Sequence, residues 1–143
     1  MILLDTTVLV YATGAEHPLR APCRRLVQAV ADGALEATTT VEVIQEFVHV
    51  RSRRRSRGDA AELGVAYADL LAPLLPVTSA DLQAGLRVYR DGVRLGAFDA
   101  VLAAAAMANS AQALVSADSA FGEVAGLAHV VPDTESIGRL LAP

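Results

Sequence analysis

A three-layer α/β/α fold, in which a short parallel sheet is flanked by helices, is the class this sequence predicts. Two observations carry it. Short apolar runs alternate with longer segments of helical periodicity, the pattern of parallel strands buried on both faces. Acidic residues stand at the ends of some of those runs, and open parallel sheets gather their ligands at the carboxyl ends of the strands. A chain of 143 residues has the length of one domain, residues 1–143, and enough substance to bury a core.

Each element has a local reason. Residues 2–4 form a short apolar run and predict a buried strand; the VLVYA that follows continues it or begins a helix. Pro18 and Pro22 punctuate the entry to a helix over residues 23–31, which Asp32-Gly33 stops. Residues 35–38 predict a second strand. Thr40 is a suitable N-cap for the helix that carries Glu46, and Gly58 is a stop signal near its end. Asp59 is placed to cap a helix running to about Leu71, before Pro73. Residues 74–78 predict a third strand and residues 80–90 a helix. The turn-rich DGVRLG segment leads to a helix beginning near Asp99. Residues 113–116 and 128–131 predict the last two strands, and residues 135–141 a terminal helix.

Composition narrows the function classes. The hydrophobic share is 53% and the mean hydropathy +0.39, much of it from alanine. The most apolar window, residues 100–108, is far shorter than the roughly 20 residues that cross a bilayer. Asp5 interrupts what would be the apolar part of a secretory signal, so a cytoplasmic protein with no membrane role is expected. Cys23 is the only cysteine, which excludes an intramolecular disulfide and a cysteine-rich zinc site. His17, His49 and His129 lack ligand spacing, and His49 reads as a partly buried packing residue.

Four acids stand where an acid is locally awkward. Asp5 ends the apolar run MILL, and Glu46 interrupts VEVIQEFVHV. Asp99 opens FDAVLAAAAMA, and Asp118 follows ALVSA. Each has a plain alternative: Asp5 as a turn or cap, Asp99 as a helix-dipole charge, Asp118 as a cap, Glu46 on a solvated face. Half-buried carboxylates repel one another and resist desolvation, so a fold that gathers them needs a counter-charge. Hard divalent cations such as Mg²⁺ or Mn²⁺ favour such oxygen ligands, and phosphodiester cleavage is the chemistry that best suits them.

Taken in order, ILLDTTVLVYA, VIQEFVHV, FDAVLAAAAMA and LVSADSAF resemble the four motifs of PIN-domain proteins, most closely the VapC toxins of bacterial toxin–antitoxin systems. The resemblance covers essentially the whole chain. It implies a PIN-like α/β/α fold and an endoribonuclease that depends on one or two Mg²⁺ or Mn²⁺ ions. Asp5, Glu46, Asp99 and Asp118 match its acidic quartet, as catalytic residues and metal ligands. It also implies a homodimer and a VapB-like antitoxin whose segment covers the acidic site. Ser116 fits the hydroxyl position usual before the last acid. Thr7 departs from the pattern, since the family commonly has Asn there.

The run RSRRRSR places Arg51, Arg53, Arg54, Arg55 and Arg57 together in a chain of net charge −4 whose 12 basic residues are all arginine. It reads either as a solvated helix end or as a contact for an RNA backbone, to which the guanidinium fork is well matched. Tyr67 and Tyr89 read as core residues rather than base stackers. Two rivals belong to other classes. An aspartate-based phosphohydrolase would use Asp5 as nucleophile, but that chemistry normally recruits a lysine, and the chain has none. A non-catalytic PIN-like module that only binds RNA or protein would be expected to lack some of the acids. No GxxxxGK[ST] or GxGxxG motif is present.

Overall fold

The computed structural model describes residues 1–92 and 94–143. Four strands, β1 (Ile2–Leu4), β2 (Ala37–Thr38), β3 (Leu114–Val115) and β4 (His129–Val130), form one parallel sheet in the order β2-β1-β3-β4. Leu3 stands in register with Thr38 on one side and Leu114 on the other. The chain passes from β1 to β2 on one side and later returns to β3 on the other. The gap between the carboxyl ends of β1 and β3 is therefore the topological switch point.

The helices follow the local signals with three corrections. VLVYA lies in α1 (Thr6–Thr13), which starts directly after Asp5. α2 (Arg20–Ala31) begins three residues before Cys23; Pro22 is tolerated because amides of the first turn have no intrahelical partner. α3 (Val41–Ser52) is capped by Thr40, whose hydroxyl accepts the Val43 N–H at 3.3 Å. α4 (Arg57–Leu70) is capped by Ser56, not Asp59, and Gly58 lies inside it rather than ending α3. α5 (Ser79–Arg90) opens on a Thr78–Asp81 capping box, α6 (Ala97–Ala108) follows, and α7 (Thr134–Leu140) closes the fold.

Residues 74–78 are not a strand. The segment makes one parallel bridge, Thr40 with Leu75, in which Leu75 donates to the Thr39 carbonyl at 2.9 Å. Pro76 has no N–H to extend the ladder.

Two glycines set how closely helices approach. A Cβ on Gly64 would stand 2.4 Å from Cγ2 of Val48, between α4 and α3. A Cβ on Gly85 would stand 2.5 Å from Cα of Val101, so α5 lies against the backbone of α6 two residues beyond Asp99. The core under these layers is built from Leu3, Leu4, Leu9, Leu26, Phe47, Leu114 and Phe121, all essentially inaccessible.

Candidate acidic site at the sheet edge

Asp5 ends β1, is buried, and begins α1 as its N-cap. Its Oδ2 is crowded: Ser116 Oγ donates to it at 2.7 Å and Thr7 Oγ1 at 2.8 Å, with the Thr7 N–H at 3.4 Å. The other oxygen, Oδ1, accepts no bond among the described residues. Ser116 Oγ also accepts the Asp118 N–H at 3.0 Å, and Thr7 Oγ1 accepts the Ala117 N–H at 3.0 Å. Two hydroxyls thus lash the end of β1 to the end of β3. Asp118 caps the short 3-10 turn Ser119–Glu123, its Oδ1 accepting the Ala120 N–H at 2.9 Å.

Glu46 and Asp99 arrive on helices. Glu46 is half-buried on α3, beside buried Val43 and Phe47. Asp99 is the third residue of α6, half-buried and without a capping bond. Burial first, then the charges of Asp5, Glu46 and Asp118, push its carboxyl up to about 7. All three of the other acids therefore act on Asp99 at close range. None of the four takes part in an ion pair among the described residues. Nor, among those residues, are three acidic or histidine side chains drawn in to the spacing of a finished ligand set. Mutual repulsion without a counter-charge opposes that approach. An all-carboxylate donor set with one member held near neutrality fits a hard divalent cation, which would be held by Asp5, Glu46, Asp99 and Asp118.

The plain readings of Asp5 and Asp118 as caps hold as well, since each spends one oxygen on capping. For Asp5 and Asp118 together, that fixes the carboxyl orientation rather than exhausting it. The arginine run divides. Arg51 is half-buried, its Nε donating to Asp59 Oδ1 at 2.7 Å and Nη1 to the Thr13 carbonyl at 3.1 Å. The bond from Arg51 holds the Asp59 carboxyl below its ordinary value. Arg53, Arg54, Arg55 and Arg57 are exposed.

Other expectations need amendment. His49 is exposed rather than partly buried, and Tyr89 lies on the outer face of α5; Tyr67 is buried edge-on against Phe47, with centroids 5.1 Å apart. Burial pushes the Cys23 thiol up to about 12, so no cysteine nucleophile is at hand. His129 was not singled out by any spacing. Its Nε2 meets the Ser116 carbonyl at 2.9 Å, and because a carbonyl only accepts, that nitrogen carries the proton. Its contribution became visible only when β4 was laid beside β3.

A parallel α/β domain with four acids around its switch point, and no basic side chain paired to them, defines a class of acidic-site proteins. The chain belongs to the PIN-domain family, whose match spans residues 2–127. It is 55% identical over 142 residues to ribonuclease VapC7 of Mycobacterium tuberculosis, covering 99% of this chain and 98% of that protein. Ribonuclease VapC23 of the same species is 32% identical over 101 residues, covering 69% of this chain and 78% of that protein. A chain from a toxin–antitoxin complex of Klebsiella pneumoniae superposes with a TM-score of 0.67 at 12% identity, covering 92% of this chain and 98% of that one, a likeness of fold.

Proposed function

We infer that this chain is a divalent-metal-dependent endoribonuclease, the toxin of a type II toxin–antitoxin pair, working in the cytoplasm. The observation that carries the reading is Asp99, whose carboxyl is raised to about 7 by burial and by three other acids at the switch point. Near-complete likeness to ribonuclease VapC7 supports it. Mg²⁺ or Mn²⁺, one ion or two, supplies an acidified water and offsets the charge of the scissile phosphate when bound. Around it, the residues of the chain orient and hold. Asp5 offers Oδ1 because Ser116 and Thr7 occupy Oδ2. Asp118 offers the oxygen that the Ala120 amide leaves open. Asp99 stands in the first turn of α6, where the helix dipole favours an anion. Glu46 completes the ligands or orients the attacking water.

An aspartate-phosphorylating hydrolase fits less well. A phosphate monoester would have to approach Asp5 past three further carboxylates, with no lysine in the chain and no arginine paired to the site.

The proposed antitoxin has a place to dock. Leu82, Leu86 and Phe98 are exposed and line a groove of about 260 Å³ between α5 and α6, with Val77 and Glu42. Glu42 Oε2 lies there buried and without a hydrogen-bond partner. An amphipathic antitoxin helix bearing an arginine or lysine satisfies both the apolar walls and that oxygen. Leu86→Glu is expected to abolish co-purification with the antitoxin. Light scattering on the partner-free chain separates this occupant from a second copy, the homodimer that the resemblance implies.

Purified, partner-free protein is to be incubated with single-stranded and structured RNA, with Mg²⁺, Mn²⁺ or EDTA, beside Asp5→Asn and Asp99→Asn. Metal-dependent cutting lost in both variants is the expected result. Absence of both cutting and metal binding overturns the catalytic reading.

A further inference from the structure

We propose that the hollow between the C-terminal ends of α1 and α3 is a base-binding subsite for single-stranded RNA, with an apolar floor and an arginine rim. The proposal rests on the ribonuclease reading and deepens it by saying where a nucleotide beside the cut is held. The hollow has a volume of about 110 Å³, several times the ~10–15 Å³ that one water needs. Val10, Phe47 and Val50 form its floor, and Arg54 and Arg55 stand at its rim. Arg51 is spent on structure: it ties Asp59 of α4 to the Thr13 carbonyl at the end of α1, and so fixes one wall.

Arg54 and Arg55 are different. Both are exposed, and neither forms an ion pair among the described residues. The single side-chain bond of Arg55 goes to the Arg54 carbonyl at 3.2 Å, which leaves most of its guanidinium donors open. An apolar floor beside planar cations is matched by an unstacked base carrying its own phosphate. The base covers the floor, a guanidinium stacks on its face, and the second cation takes the phosphate.

The hollow is also aligned with the acidic site. On α1, Thr7, which bonds Asp5, leads by steps of three to Val10 and Thr13. On α3, Glu46 leads by a step of four to Val50, and these spacings keep residues on one helix face. At ~1.5 Å rise per residue, Val50 lies roughly 6 Å beyond Glu46 along the helix axis. A strand whose phosphate is at the acids therefore has a flanking base within reach of the hollow.

The test is equilibrium binding of four fluorescent homopolymeric hexaribonucleotides to the full chain in EDTA, which prevents cutting. Wild-type protein is expected to bind one of the four several-fold more tightly than the others. Ala15→Trp fills the hollow from an exposed rim position without touching the core. It is expected to remove that preference, lowering the favoured affinity about tenfold, the scale of one stacked base. Arg54→Gln/Arg55→Gln is expected to weaken all four RNAs and flatten the salt dependence by roughly 1.4 in log–log slope. If Ala15→Trp leaves the spread unchanged, or wild type binds all four equally, the subsite is overturned and the arginines are backbone contacts only. Base-selective binding without cutting in Mg²⁺ or Mn²⁺ instead sinks the nuclease reading and leaves the subsite standing.

Discussion

Ser116 Oγ lies 2.7 Å from Asp5 Oδ2 across 111 positions of sequence, and the same hydroxyl accepts the Asp118 amide at 3.0 Å. One buried side chain thus fixes two of the four acids, which stand on different strands. Ser116→Ala removes both bonds while changing little volume. Loss of the partners that orient metal ligands typically costs 10–100-fold in metal affinity or activity. A loss of about that size in Mn²⁺ affinity, read by calorimetry, is expected, with Ser116→Thr restoring most of it. Unchanged affinity in Ser116→Ala would show that Asp5 is oriented by other contacts.

Thr7 stands where the resembled family commonly has Asn, and its geometry explains why the change is tolerable. Its hydroxyl donates to Asp5 and accepts from the Ala117 amide. An Asn side chain performs the same pair of tasks with its NH₂ and its carbonyl. Thr7→Asn is therefore expected to cleave RNA within a few-fold of wild type, and Thr7→Val to lose about as much as Ser116→Ala. Comparing kcat/KM for the two variants decides the point; equal loss in both would mean that the hydroxyl itself is required.

How much of this was legible in the chain follows from the range of the forces. Strand β1 and the caps at Asp5 and Thr40 are local events, so apolar runs and side-chain capping chemistry located them. The acids were conspicuous because a carboxylate beside Val43, Phe47 or Leu114 costs free energy unless something compensates it. Residues 74–78 were misread as a strand because apolar composition does not reveal that Pro76 blocks the ladder. Ser56 displaced Asp59 as the cap of α4 because the helix starts two residues earlier than Asp59 requires. His129 and Glu42 could not be found from spacing at all. Their roles are made by β4 lying beside β3 and by α5 lying across α6, both long-range packing events.

Gly85 is a second long-range feature and carries its own prediction. The site of its missing Cβ lies within 2.8 Å of three atoms of Val101, two of them backbone. Gly85→Ala gains helix propensity but forces α5 away from α6, and overpacking of this kind costs about 1–3 kcal/mol. Because Asp99 opens α6, metal affinity should fall together with the midpoint of thermal unfolding. Gly58→Ala, whose Cβ meets only Ser56 Oγ at 3.9 Å, is the control and should be neutral or slightly stabilising. A stabilised Gly85→Ala would show that the helix pair yields without cost.

Asp99 supplies the pH dependence. Its carboxyl is raised from 3.8 to about 7, by burial first and then by Asp5, Glu46 and Asp118. Between those values the folded chain retains a proton that the unfolded chain has released, so unfolding stability falls as pH rises. The contribution is fully present below about pH 4, drains away toward pH 7, and is absent above it. Half-exposure of the side chain lets water screen part of the effect. Asp99→Asn removes the titration, so in EDTA its melting temperature should exceed that of wild type by a margin that widens from pH 4 to 7 and then stays constant. Metal binding must displace the same proton, and wild-type affinity for Mn²⁺ should weaken by up to about tenfold per unit as pH drops below 7. A stability margin independent of pH would mean that Asp99 is ionised at little cost, and that the four acids do not act on one another as a cluster.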